Sequence, residues 1–365
     1  MQIIFCFHFT LSRVFILFLF IKVLKMKGKK EITIYDVARA LHISPSTVSR
    51  GLKDHPHIRK ATREKIKAKA HDMGYQRNKF ASSLRKQKTD TIGVVVPKLN
   101  SFFQATVISG IEKVTNKHGY GLLISQSQES VKHEESCITT LYNSRVDGLI
   151  ISLAYDTKTL DHFNILYKKD IPVVFFDRAA DCHGCMSVII NNFKAGYEIT
   201  THLLEQGCKR IAHLSGNLLR NVYSERFNGY KKALTDHGIK YDQDMLIISD
   251  LNNEAGKNAA QNLMKMKKRP DGIFAANDAT AVAAICELQK LGIKVPEEVA
   301  VAGFNNEPVS QVVKPNLTTI DYPAINMGEI AATSLINRLN TSEPFNLSTI
   351  VLKHKLIMRE STIRK

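Results

Sequence analysis

The sequence predicts a small all-α helix-turn-helix unit, joined by a short hinge to a two-lobed α/β domain with parallel, doubly wound sheets. Three observations carry this. Helix-capping residues and apolar residues at helical spacing dominate the stretch from Ile32 to Tyr75. From Thr91 onward, short apolar runs alternate with amphipathic stretches, which is how strands buried on both faces and their crossover helices read. The charge is also unevenly divided. Of the net +17, residues 26–90 hold 17 Lys and Arg against 6 Asp and Glu, whereas residues 91–365 hold 31 against 28. The basic surplus therefore belongs to the N-terminal quarter and points to a polyanionic partner met there. A chain of 365 residues with 44% hydrophobic content has room for two or three domains, each with its own core.

The first 25 residues, MQIIFCFHFTLSRVFILFLFIKVLK, are almost wholly apolar. Their basic residues lie inside and after the apolar run, and no small-residue cleavage site follows, unlike a secretory signal. His8, Ser12 and Arg13 interrupt the run, leaving it shorter than the roughly 20 residues that span a bilayer. The expectation is that translation starts at Met26, that the protein is cytoplasmic and that it has no stable membrane association; a membrane tether is the alternative.

Residues 31–77 read as the helix-turn-helix unit. Thr33 and Asp36 have capping-box spacing, so a helix starts at Ile34 and buries Val37, Ala38 and Leu41. His42 and Ile43 make the turn. Ser44 then caps a second helix with Pro45 at its first position, where the missing N–H costs nothing. Val48 and Leu52 share the face that packs back, which leaves Ser46, Thr47, Ser49 and Arg50 outside it, a set of short hydrogen-bonding side chains suited to base edges in a major groove. A third helix follows, with Ile66, Ala70 and Met73 at i, i+4, i+7 and Gly74 at its end. Its Arg63, Lys65, Lys67 and Lys69 are candidates for phosphate contact. Residues 78–90, NKFASSLRKQKTD, are basic and too short to hold a helix alone. They read as a hinge that becomes helical on DNA, with Leu84 as a minor-groove wedge.

ITIYDVARALHISPSTVSR, then TREKI, GY, the ASSLR hinge and TIGVVVP, resemble the lac-repressor/gal-repressor family of transcription regulators in order from about residue 31 to 360. Carried over by position, the resemblance implies double-stranded DNA as partner, with Pro45, Ser46, Ser49 and Arg50 facing the major groove and the hinge residues Asn78, Ala81 and Leu84 at the minor groove. It implies a domain like the periplasmic sugar-binding proteins and a sugar or sugar derivative as effector. His42 departs from the family's common Gly, and Pro45-Ser46 replaces the larger pair that many relatives use for base reading.

In the body, TIGVVVP, YGLLISQS, VDGLIISL, PVVFFD, SVIINN, RIAHLSG, DMLIIS, GIFAAN and VAVAGF read as strands. The expected first lobe comprises residues 91–188 plus 319–345; the second, residues 189–317 plus 346–362. Ligands of such folds bind beyond the C-terminal strand ends, where Asp177, Asn277 and Asn305 recur and Arg226 follows RIAHLSG by one helix start. Asp278 and Asn306 read as simple helix caps. The resemblance assigns the cleft to Asp177, Arg226, Asn277 and Asn305 and lines it with Phe102 and Phe103; Asn305 departs from the Asp of sugar-responsive relatives.

The six cysteines are scattered, and the close pair Cys182 and Cys185 lacks a second ligand pair at zinc spacing. A reduced surface loop without metal is expected there, and no cofactor elsewhere. GxSxG, P-loop, HExxH and GxGxxG motifs are missing in a strand-to-helix setting, which argues against an enzyme. An exported sugar-binding protein would leave the basic three-helix unit unexplained. One helix-turn-helix covers one half-site, so a homodimer on a near-palindromic operator is expected.

Overall fold

The computed structural model describes residues 32–75, 88–180, 185–341 and 349–364, in two compact units that divide after Arg85. The apolar extension and the expected hinge contacts Asn78, Ala81 and Leu84 lie outside the described residues. Among the described residues no helix is long and apolar enough to cross a membrane.

The first unit holds α1 (Ile34–Leu41), α2 (Pro45–Gly51) and α3 (Lys60–Asp72). The Asp36 carboxylate accepts the Thr33 backbone N–H at 2.9 Å and its hydroxyl at 2.7 Å. Ser44 Oγ accepts the Thr47 N–H at 3.1 Å, and Pro45 at the first position has no N–H to satisfy. Val37, Ala38, Val48, Ile66 and Ala70 form the buried core, with Leu41, Leu52 and Met73 packed against it. Gly51 permits the approach of α2 to α3, since a Cβ there would lie 2.5 Å from Ile66 Cδ1. His42 ends α1 in the left-handed region, at φ +54°, a conformation that costs a non-glycine residue about 1–2 kcal/mol.

The second unit opens with β1 (Thr91–Val96), α4 (Phe102–Lys117), β2 (Gly121–Gln126), α5 (Val131–Asn143), β3 (Gly148–Ile151), α6 (Asn164–Tyr167), β4 (Val173–Phe176) and β5 (Met186–Ile190). A second lobe follows as α7 (Asn192–Glu205), β6 (Ile211–Ser215), α8 (Asn221–Asp236), β7 (Leu246–Ile248), α9 (Asn253–Lys265), β8 (Gly272–Ala275), α10 (Asp278–Lys290), β9 (Ala300–Ala302) and α11 (Val309–Val312). The chain returns through β10 (Thr319–Asp321), α12 (Ala324–Asn340), β11 (Thr349–Leu352) and β12 (Lys355–Ile357). The first sheet has the order β11-β5-β4-β3-β1-β2 and the second β7-β6-β8-β9, both parallel throughout. In each sheet the second strand lies to one side of the first and the third to the other, so both have a switch point, between β1 and β3 and between β6 and β8. Ligand crevices open at such points.

The lobe boundaries need correction at the returning segments. Strand β11, expected in the second lobe, pairs with β5 at the edge of the first sheet, and β5 itself carries Ile189 and Ile190 into that sheet. Strand β10, expected in the first lobe, pairs antiparallel with β12 and runs beside the second lobe, where Gly303 N–H bonds Thr318 O at 2.8 Å and Asn305 N–H bonds Ile320 O at 3.0 Å. Apolar patterning reports that a strand is buried but not which sheet edge it joins. The expectation of a reduced loop at 182–185 is also corrected, because Cys185 is buried and disulfide-bonded.

Candidate functional site

On α2, Val48 is buried while Ser46 and Arg50 are exposed and Pro45, Thr47 and Ser49 half-buried. The Ser44 hydroxyl lies 2.7 Å from that of Ser46 and 2.8 Å from that of Thr47, so both are tied to the helix cap and must rotate to reach any partner. Arg50 carries no such tether and is the one long donor on this face. On α3, Arg63 donates to the Asp54 carbonyl at 2.9 Å and Lys67 to the Asp54 carboxylate at 2.7 Å, which fixes the loop after α2 and draws the Asp54 pKa down. Lys69 pairs with Asp72 at 3.3 Å. Three of the four expected phosphate cations thus already have partners within the domain. Tyr35, 64% exposed on α1, was not anticipated, because a single exposed aromatic leaves no periodic trace in sequence.

A cleft of about 660 Å³ lies between the two lobes of the second unit, and Phe102, Phe103, Asp177, Arg226, Asn277 and Asn305 all line it. Phe102 and Phe103 open α4 from the first lobe; the Phe103 ring packs edge-on against Tyr322 with centroids 4.7 Å apart. Asp177 terminates β4 at φ +57°, and Asn305 follows β9 at φ +108°. Backbone held in such sparsely populated regions costs about 1–3 kcal/mol and gathers at sites where geometry serves a ligand. Asp177 Oδ1 accepts the Tyr322 hydroxyl at 2.8 Å. Burial raises its pKa, against the nearby Arg178 and Arg226, which lower it.

Arg226 is buried on α8, and its placement follows from glycines. A Cβ on Gly196 would lie 2.4 Å from the Arg226 carbonyl oxygen, and one on Gly229 would lie 2.1 Å from that of Phe193. The close α7–α8 approach they allow brings Arg226 Nε to Asn192 Oδ1 at 2.9 Å. Nη1 donates to the Ala276 carbonyl at 2.9 Å, and the guanidinium carbon sits 3.5 Å from the centre of the Phe304 ring. Burial lowers its pKa, and Tyr322 and Asp177 oppose that shift. Nη2 has no protein acceptor among the described residues, so a guanidinium fixed on three sides offers a donor to the cleft. Asn277 has a double role: Oδ1 caps α10 by accepting the Thr280 N–H at 2.9 Å, and Nδ2 donates to the Leu251 carbonyl at 2.8 Å.

The simple capping expected of Asp278 and Asn306 is not what they do. Asp278 is buried and accepts the Thr319 hydroxyl and the Glu307 N–H, both at 2.7 Å; burial pushes its carboxyl up to about 8. Asn306 joins Asp321 to Arg359, donating at 2.8 Å and accepting at 2.7 Å. Both brace the loop that presents Asn305.

Sequence reasoning missed a cluster beside Asp177. Arg178 donates to Glu129 at 2.6 Å and to the Tyr223 hydroxyl at 3.0 Å, and lies 4.3 Å from the centre of the Tyr155 ring. The Tyr155 and Tyr223 hydroxyls are 3.2 Å apart. With Arg220 bonding the Thr157 carbonyl and Asn221 bonding the Asp177 carbonyl at 3.2 Å, these contacts join the start of α8 in the second lobe to loops of the first. The available signal was a second charged residue, Arg178, directly after Asp177 at the end of the apolar run of β4.

A three-helix unit with an exposed polar recognition face, followed by two parallel-sheet lobes around a polar cleft, defines a ligand-controlled DNA-binding regulator. Residues 33–78 match the bacterial regulatory proteins of the lacI family, and residues 89–359 match the periplasmic binding proteins and sugar binding domain of the LacI family. The chain belongs to the LacI family. It is 33% identical to the HTH-type transcriptional regulator RegA of Clostridium saccharobutylicum, over 91% of this chain and 99% of that one. It is 30% identical to catabolite control protein A of Priestia megaterium, again over 91% and 99%. Its fold is similar to that of a chain in the crystal structure of the lac repressor dimer bound to operator and the anti-inducer ONPF, with a TM-score of 0.83 at 24% identity, covering 92% of this chain and all of that one. The protein is therefore a DNA-binding transcriptional regulator with an effector-binding domain, and not an enzyme.

Proposed function

We propose that this regulator is a cytoplasmic homodimer that binds a near-palindromic operator and is controlled by a sugar or sugar derivative held in the interlobe cleft. The observation that carries the reading is the convergence of Asp177, Asn277 and Asn305, from strand ends of two different sheets, on one cleft with Arg226. Asp177 and Arg226 supply an acceptor and a donor for hydroxyls, the two amides supply both, and Phe102 and Phe103 give the apolar wall against which a sugar ring packs. Ser46, Thr47, Ser49 and Arg50 read bases after Pro45 sets the start of the recognition helix, and Asn78, Ala81 and Leu84 contact the minor groove. Ligand that favours one spacing of the lobes shifts the population of that state and thereby the operator affinity. Thermal unfolding across a panel of sugars, sugar acids and sugar phosphates tests this, since a ligand of the native state raises its stability by mass action. A panel that leaves the midpoint unmoved would remove sugars as effectors.

Two edge strands support the dimer. Leu123 and Ile124 on β2 are 40% and 43% exposed, and Ile248 on β7 is 54% exposed. Each lies on a terminal strand of its sheet, where uncovered apolar residues invite pairing with another chain. Replacing Ile124 and Ile248 together with Glu should turn the dimer into a monomer in sedimentation equilibrium without loss of secondary structure. A variant that stays dimeric at micromolar concentration would place the interface elsewhere.

A further inference from the structure

The charges that line the cleft are not balanced. Arg178 is consumed by Glu129 at 2.6 Å, and Arg226 is fixed by Asn192 and Ala276 within the field of Asp177. What remains is Lys98 against Asp250, Glu254 and Glu307. Glu254 reaches only Lys257 of its own helix, at 3.9 Å, while Asp250 and Glu307 have no ion-pair partner among the described residues. Among the described residues the only hydrogen bond to the Glu307 carboxylate comes from Asn305 Nδ2, at 3.3 Å, and burial raises its pKa.

A second observation is independent of these carboxylates. Gln104, in the first turn of α4, lines the same cleft with only 4% of its surface exposed, and its Oε1 has no hydrogen-bond donor. A buried carbonyl oxygen without a donor is unfavourable, so its presence in a residue that lines a ligand cleft points to a donor carried by the ligand. The cleft thus offers more acceptors and negative charge than donors and positive charge. A neutral sugar would offer Glu307 hydroxyl donors but no counter-charge, and a sugar acid or phosphate would add a like charge to it.

We propose that the effector is a polyhydroxylated molecule bearing a primary ammonium group, an amino sugar, with Glu307 as the partner of the ammonium and Gln104 Oε1 as an acceptor for a ligand N–H or O–H. This rests on the assignment of the cleft as the effector site. The test is titration of the full chain, by thermal shift and calorimetry, with glucosamine, galactosamine, their N-acetyl derivatives, glucose, galactose, gluconate and glucose 6-phosphate. At least one free amino sugar should bind at least tenfold tighter than its neutral and N-acetylated counterparts, and Glu307→Gln should erase that preference. The ammonium assignment is overturned if a neutral or anionic member binds as tightly as its amino counterpart, if Glu307→Gln keeps the preference, or if no member binds. Amino-sugar binding that survives Arg226→Ala would overturn the cleft assignment itself, an outcome distinct from binding through Arg226 of a sugar without an amine.

Discussion

Arg226→Ala should abolish the response to effector while the ligand-free protein still binds operator. The guanidinium is fixed from three directions, by Asn192 Oδ1, the Ala276 carbonyl and the Phe304 ring, and the other cleft guanidinium, Arg178, is held by Glu129 and Tyr223, so it is not free to take over. Its removal also leaves two buried acceptors without donors, at about 1–3 kcal/mol each, and deletes a desolvated cation–π contact of about 2 kcal/mol. Denaturant unfolding should therefore show a loss of several kcal/mol, confined to the second unit, because the helix-turn-helix has its own core. Arg226→Lys separates the two effects. A lysine restores the charge near Asp177 but not the planar fork that serves Asn192 and Ala276 together, so it should recover part of the stability and little of the ligand affinity. An Arg226→Ala protein whose operator affinity still changes with the wild-type ligand would sink the cleft as the control site.

The coupling between cleft and operator has a physical basis in the contacts that cross the lobes. Tyr322 reaches Asp177 from the returning segment, and Arg178, Tyr155 and Tyr223 bind one another across the lobe boundary. Polar networks of this kind have few arrangements that satisfy every member. A ligand that contacts Asp177 and Arg226 competes for some of those bonds and so biases the lobe spacing instead of merely filling a void.

Much of this was legible in the sequence, and what was not has identifiable causes. The three-helix unit was readable because capping residues and apolar spacing are local signals, and Thr33, Asp36, Ser44, Pro45 and Gly74 stand where those signals place them. The strand-end residues were readable because a parallel sheet puts ligand contacts at one end of every strand. The sheet membership of β10 and β11 was hidden, since the pairing of strands distant in sequence, β11 with β5 and β10 with β12, is decided by which edge is vacant. The Arg178 cluster escaped for the same reason: its partners Glu129, Tyr155 and Tyr223 come from three separate loops and helices. Asp278 and Asn306 looked like caps because capping chemistry and loop bracing use the same residue types.

Arg50→Ala should remove sequence discrimination. The Ser46 and Thr47 hydroxyls are engaged with Ser44 in the free protein, which leaves Arg50 as the only exposed side chain on α2 able to make two parallel hydrogen bonds to a base edge. Each such pair contributes about 1–3 kcal/mol of discrimination. A dimer on a near-palindromic site loses the contact twice, so operator affinity should fall on the order of a hundredfold or more, while affinity for unrelated duplex should drop only by the contribution of one charge per protomer. Because Arg50 is exposed and packs on none of the core residues of its unit, the unfolding midpoint and the effector response should stay at wild-type values. The measurement is a salt-matched pair of titrations, one on an operator selected from random duplex by the wild-type protein and one on scrambled duplex. A parallel loss on both would reduce Arg50 to a phosphate contact, and the reading of bases would then fall to Ser46, Thr47 and Ser49 after rotation away from the cap.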